Sequence, residues 1–224
     1  VAPPGTPPDS ALAYLQAGVK LKDQAVPMDG QISAILSPNA EAVLVDANKG
    51  LFQQADAIAD QYRSGNMGRA YGFKFSMDQN VPTHTVGPLG GSPTTTGAQS
   101  ASATYSGVTG SAGANSMAPF SLVTGGWTAA AAARVKAGDV FTLATVFAVN
   151  PQNRQSTGAL QQFVVTADAS SDGAGAATLQ ILPRPIFSGP FQNVTSVTNN
   201  IPATTPLTIV GTASTGYRQN FVFH

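Results

Sequence analysis

Between residues 71 and 77 the chain alternates strictly, with Tyr71, Phe73, Phe75 and Met77 separated by Gly72, Lys74 and Ser76. A period of two marks a strand with one buried face. Ahead of it the pattern is helical three times. After Pro7-Pro8-Asp9, with Asp9 or Ser10 as cap, Leu12, Leu15 and Val19 share one stripe, and Lys20, Lys22 and Asp23 take the polar side. A short apolar run over 31–37, holding Ile32, Ala34, Ile35 and Leu36 between Gly30 and Pro38, reads as a buried strand. The second helix has the clearest start: Ser37 as N-cap, Pro38 at the first helical position, and Glu41 near the positive end of the dipole. Its apolar face is Ala40, Val43, Leu44, Ala47 and Leu51, with Gly50 as the stop. A third helix is predicted over 55–64, carrying Ala55, Ile58, Ala59 and Tyr62 on one face and ending at Gly65.

A turn at Asp78-Gln79-Asn80 leads to an extended run over 81–86, which Pro82 marks as an edge or a beginning. The composition then shifts abruptly. No Asp, Glu, Lys or Arg occurs between Asp78 and Arg134, where Gly, Ser, Thr and Ala dominate, so a domain boundary is expected near Gly87-Pro88. Beyond Trp127 short apolar runs recur over 140–149, 160–166, 177–182 and 207–210, separated by turn residues. In the first of them Phe141, Leu143, Thr145, Phe147 and Val149 share a face, the signature of a barrel or sandwich wall. The alanine-rich stretch 128–134 has the composition for one helical turn.

Charge and composition narrow the function. Only 10% of the 224 residues are charged, against roughly 25% in an ordinary soluble domain. The 11 cations and 11 anions cancel, so no net repulsion keeps copies apart and self-association is the natural reading. A secreted domain kept in solution by hydroxyl-rich loops has the same composition. The absence of cysteine excludes a disulfide framework, a thiolate nucleophile and a Cys-ligated zinc. No apolar run approaches the roughly 20 residues of a membrane span, and the start at Val1 carries no signal-peptide pattern.

Several stretches resemble the coat proteins of short-tailed phages, the branch of the tailed-bacteriophage capsid fold with a β-barrel inserted in the chain. The strand, the Leu36-Ser37-Pro38-Asn39 turn and the helix over 30–51 are similar to the α/β part of that fold's apical domain. The run from Ala59 to Gly68 (ADQYRSGNMG), then Gly72-Phe73-Lys74-Phe75 and the stretch from Asp78 to Gly87 (DQNVPTHTVG), resembles the segment ahead of the insertion. The stretch from Val135 to Thr142 (VKAGDVFT) and Ile181-Leu182-Pro183-Arg184-Pro185 look like barrel strands, and Tyr217-Arg218-Gln219-Asn220-Phe221 looks like the return to the main fold. The resemblance implies an α+β fold, a partial capsid fold interrupted by an all-β barrel: 1–87 as apical-domain segment, 88–212 as inserted barrel, 213–224 as return strand. It implies that an N-terminal arm, an extended hairpin loop and a spine helix precede this region in a complete coat protein, so the chain is expected to be a central fragment.

A shell subunit needs no catalytic constellation, and none is predicted here, nor any cofactor or metal. His84 and His224 are the only histidines, too few for a convincing triad, and no Gly-x-Ser-x-Gly elbow occurs. Asp168 and Asp172 lack the bidentate Glu of a calcium loop and read as a hairpin turn. Gly173-Ala174-Gly175 leads into a strand, without the helix N-terminus that a phosphate cradle uses. Lys and Arg are scattered, with no patch for reading nucleic-acid sequence. Asp60 and Arg63, three apart on the third predicted helix, read first as an exposed helix pair. The candidate subunit-interface residues are Arg63, Arg69 and Lys74, placed to meet acidic groups of a neighbouring subunit. The implied partners are other coat subunits and a scaffolding protein, with DNA enclosed but not read, in a virion capsid assembled in the bacterial cytoplasm. The competing readings are a β-rich adhesin or carbohydrate-binding module using the lone Trp127, and a serine hydrolase.

Overall fold

The computed structural model describes residues 4–27, 29–48, 68–99, 119–189 and 191–224. The chain forms two compact units, one from residues 1–84 with 216–224 and the other from 85–215. The described residues are β-rich, with two α-helices. The third predicted helix, with Asp60 and Arg63, lies outside them, as do Gly50 and Leu51.

The first unit starts with α1 (Ala11–Asp23), β1 (Ser33–Leu36), α2 (Pro38–Asn48), β2 (Arg69–Ala70), β3 (Phe73–Met77) and β4 (Thr83–Thr85). It closes with two strands after the second unit, described below. Ser10 caps α1 through its hydroxyl, which accepts from the Ala13 N–H, and Lys20 and Lys22 sit in the last turn, where the dipole favours cations. The burial of α1 departs from the sequence pattern. Tyr14 and Gly18 face the sheet, whereas Leu12, Leu15 and Val19 are exposed among the described residues. Close approach decides this: a Cβ at Gly18 would stand 3.2 Å from the Phe73 ring, so α1 can lie against the aromatic strand only on its small-residue side. Tyr14 meets Phe75 edge-on with centroids 5.4 Å apart. Ala40 and Leu44 of α2 complete the core with Ile32, Ala34 and Leu36.

Strands β1 and β3 are parallel, as a β–α–β connection requires, and β2 adds antiparallel to β3. Tyr71 and Gly72 are not the first residues of the aromatic strand, as the alternation suggests. They form a two-residue turn, both at positive φ (53° and 84°), the geometry that matches the twist of a hairpin. Met77 also departs from the pattern: it lies at the open end of β3 and is exposed.

Burial and the nearby Glu41 carboxylate raise the Tyr14 hydroxyl from 10.0 to about 12. A folded value above the unfolded one means that the stabilisation is complete below pH 10 and is lost as the pH rises toward 12. The first unit is therefore expected to loosen over that alkaline window. Tyr14→Phe should flatten this pH dependence, read by tyrosinate absorbance beside circular dichroism.

The second unit contains β5 (Gly91–Thr95), β6 (Phe120–Trp127), β7 (Ala132–Val135), β8 (Val140–Val149), β9 (Ser156–Val165), β10 (Ala169–Ser171), β11 (Ala177–Leu182), β12 (Val194–Thr195) and β13 (Leu207–Ile209). Its main sheet has the order β12-β8-β9-β11-β6-β5, with β13 also on β8, and every pairing is antiparallel. Thr94 lies opposite Pro206, and Thr95 exchanges backbone hydrogen bonds with Thr205 (3.0 Å) and Thr204 (2.9 Å). The core gathers Leu122, Phe141, Leu143, Phe163, Leu179, Ile181 and Ile201, all buried.

In β8 the predicted face holds at Phe141, Leu143 and Val149 but is broken between them. Val146 and Ala148 are buried where Thr145 and Phe147 were expected, because the register against β9 shifts between Thr142 and Phe147. The strand bends at that bulge, its first half pairing β13 and its second half β12. The alanine-rich stretch makes no helical turn. Residues 132–135 form β7, paired with β10, and the Thr128 and Ala130 carbonyls accept from the Arg134 guanidinium instead of from helical amides. Asp168 and Asp172 do not share a hairpin turn: Asp172 lies in the turn between β10 and β11, which belong to different sheets, and accepts from the Ala174 and Ala176 N–H groups, whereas Asp168, between β9 and β10, accepts from the Ala137 N–H at 2.8 Å.

At Gly87 an added Cβ would stand 2.5 Å from the Arg134 carbonyl oxygen, so no side chain fits there. The buried Asp139 carboxylate accepts from the Gly87 N–H at 3.1 Å and the Lys136 N–H at 2.8 Å, fixing the incoming chain to the turn before β8.

The chain ends in β14 (Gly216–Arg218), paired with β4, and β15 (Phe221–Phe223), antiparallel to β1, which gives the first unit a sheet of order β15-β1-β3-β2. The Ser37 N–H donates to the Asn220 side-chain oxygen at 2.9 Å, which seats the returning segment at the start of α2.

Candidate functional site

The sheet of the first unit has one face on the helices and one turned outward, and the outward face collects the candidate residues. Register places Ser33 beside Lys74 and Phe223, and Ile35 beside Ser76 and Phe221. Phe221 and Phe223 are nearly half exposed. Arg69 lies directly across from Lys74 on β2 and β3, so two cations that the sequence separates by five positions share one edge. Like charges facing each other disfavour the pair. The Arg69 guanidinium donates to the Gly30 carbonyl, ahead of β1. The Lys74 ammonium has no hydrogen bond or ion pair among the described residues. Arg63 lies outside them.

Phe221 and Phe223 were not singled out in the sequence, where 213–224 is expected only as a return strand. Only pairing with β1 shows that Val222 alone points to the core. At the end of this face His224 Nε2 lies 2.9 Å from Asp29 Oδ1. The Gln31 N–H, foremost, and then His224 hold the Asp29 carboxyl below the usual carboxylate range.

Among the described residues no cluster of His, Asp or Glu could hold a metal. A groove of about 390 Å³ runs along Pro7 and Pro8, Asn39, Tyr217 and Arg218, and a smaller one of about 170 Å³ is lined by Leu15, Ile32, Tyr71 and Phe73. Neither brings together a nucleophile and a base. Trp127, the side chain on which a glycan-binding reading depends, is 4% exposed, and its indole N–H donates to the Thr124 hydroxyl at 2.8 Å. A buried indole offers no platform to a sugar. No helix among the described residues is long and apolar enough to cross a membrane.

The sequence was compared with known families, curated proteins and solved structures. No curated protein matches. Among solved structures, the CUS-3 coat protein I-domain is similar at 21% identity and a TM-score of 0.35, covering 54% of this chain and 96% of that one. The family described as P22 coat protein, gene protein 5, matches residues 5–223. A match over nearly the whole length leaves little of the sequence outside its reach: the chain belongs to the P22 coat protein family and is a structural subunit of a phage capsid.

Proposed function

We propose that the chain builds a closed icosahedral shell by packing uncharged surfaces against other copies of itself, with no chemical step. The observation that carries this reading is the family match over residues 5–223. The cancelling charges agree with it, because copies that do not repel can approach on many faces and closed symmetry accumulates weak contacts.

In this reading the fold is α+β, and 85–215 is a β-barrel inserted into the apical segment. Support comes from the hydrogen bonds of Thr95 with Thr204 and Thr205, which join the β5 edge to the chain entering β13. The positions 84–85 and 215–216, where the chain leaves and rejoins the first unit, suit an insertion. Lys74, with Arg69 across from it, sets register by meeting an acidic group of a neighbouring subunit, and the scattered cations enclose DNA without reading it. A scaffolding protein guides assembly in the bacterial cytoplasm.

The test is electron microscopy and sedimentation of the coat protein purified from its natural source. Closed particles of uniform diameter are expected. A protein that sediments as a monomer at every concentration overturns the reading.

A further inference from the structure

We infer that the groove at the start of α2 is a carboxylate-binding site, filled by an acidic side chain of a peptide segment that lies in it. The groove, about 390 Å³, belongs to the first unit alone and is lined by Ser37, Asn39 and Ala40 at the entry to α2 and by Tyr217, Arg218 and Asn220 of the returning segment. No Asp or Glu lines it. Its volume falls in the range of small-ligand sites and exceeds what a single ion fills, so the occupant carries its charge on a larger body. In a capsid protein the carboxylates at hand are those of Asp and Glu side chains.

Ser37 carries the argument. The sequence casts it as the cap of α2, yet its hydroxyl makes no hydrogen bond to the first-turn amides or to any other described residue. The residue is only 4% exposed. Among the described residues no side-chain oxygen or nitrogen is both sealed from solvent and unpartnered, so this hydroxyl reaches the surface where Ser37 lines the groove. Beside it the first N–H groups of α2 have no acceptor within the helix. Asn220 gives its side-chain oxygen to the Ser37 N–H at 2.9 Å, which leaves its NH₂ free to donate. The Arg218 guanidinium has no hydrogen bond or ion pair among the described residues. These groups donate, and together they call for an anion.

Charge decides which anion. Glu41, the acid in the first turn of α2, does not line the groove but already answers the helix dipole. That leaves Arg218 as the one full positive charge at the site, which balances a monoanion. A phosphate group, at about −1.5 to −2, would keep an excess of negative charge there. The planar fork of a guanidinium also matches the two oxygens of a carboxylate.

The test titrates the unassembled full coat protein, by ligand-observed NMR, with two blocked short peptides that differ only in a central Glu or Gln. The Glu peptide should bind roughly tenfold or more tightly than the Gln peptide. Arg218→Gln should erase that preference, and Arg218→Lys, which keeps the charge but loses the fork, should restore only part of it. Ser37→Ala should weaken the Glu peptide about fivefold and leave the thermal midpoint unchanged, because the hydroxyl holds nothing within the fold. Equal affinity for the two peptides overturns the inference. A Glu preference that survives both Arg218→Gln and Ser37→Ala does so too, since the peptide then binds elsewhere. A lowered midpoint in Ser37→Ala with the Glu preference intact would make the hydroxyl a helix cap and overturn it as well. Inorganic phosphate that binds more tightly than the Glu peptide would overturn the carboxylate assignment. None of these readouts requires particles, so failure here and failure of the shell reading are separate results.

Discussion

Replacing Arg134 with Met is expected to cost the second unit about 3 kcal/mol or more. The guanidinium is buried, and its Nε–H donates to the Ser171 hydroxyl at 2.8 Å. One terminal nitrogen donates to the Leu89 carbonyl at 3.0 Å, the other to the Thr128 carbonyl at 2.7 Å and the Ala130 carbonyl at 3.3 Å. These acceptors belong to the chain before β5, the bend after β6, and β10. A single side chain thus replaces the backbone ladder at a point where three segments meet without forming a sheet. Met fills much of the volume but takes the guanidinium donor from the part-buried Leu89 and Thr128 carbonyls, each costing about 1–3 kcal/mol, while the Ala130 carbonyl keeps the Ser171 hydroxyl at 2.6 Å. Arg134→Lys should recover little, because one ammonium cannot reach acceptors spread around a planar fork. The only tryptophan, Trp127, lies in the core of this unit, so its fluorescence reports the unfolding midpoint directly. An unchanged midpoint in Arg134→Met would show that water satisfies the carbonyls equally well.

That network explains why one stretch was misread. Ala129 to Ala133 has high helix propensity, and nothing nearby in the sequence announces a strand. The decisive residue acts through partners 37 and 45 positions away, Ser171 and Leu89. Strands whose apolar residues alternate or cluster were legible: β1, β3, β8, β9, β11 and β13 all lie within or across the predicted runs. Those that depend on distant partners were not. Strand β5 is Gly-Ser-Pro-Thr-Thr, a turn-like composition held in the sheet by β6 and by the segment ahead of β13. The bulge in β8 was equally hidden, since it arises from two partners claiming one strand.

The surface was harder to read than the core. In α1 the regular spacing of Leu12, Leu15 and Val19 points to a buried face, yet the sheet takes the neighbouring stripe because Gly18 permits closer approach to Phe73. A sequence shows that a stripe is apolar without showing which body covers it. For a capsid subunit this matters, because contacts between copies draw on the same residue types as the core. Lys74 and Arg69 were found as individual charges, but their placement across β2 and β3 depends on the turn at Tyr71-Gly72.

The centre of the second unit should be the most sensitive site to truncation. Phe141 and Phe163 are 1% and 0% exposed and stack with ring centroids 5.7 Å apart, paired across β8 and β9 at the registered position. Phe163→Ala removes a ring's worth of buried surface and leaves a cavity that the surrounding strands cannot collapse into, a loss of about 3–5 kcal/mol. Phe163→Leu keeps most of the volume and should lose roughly 1–2 kcal/mol. Trp127 fluorescence should follow both, whereas the alkaline titration of Tyr14, a reporter of the other unit, should not move. Since only folded subunits can join a shell, particle yield should fall in the order wild type, Leu, Ala. A Phe163→Ala protein that keeps the wild-type midpoint would show that the rings contribute far less than their burial implies.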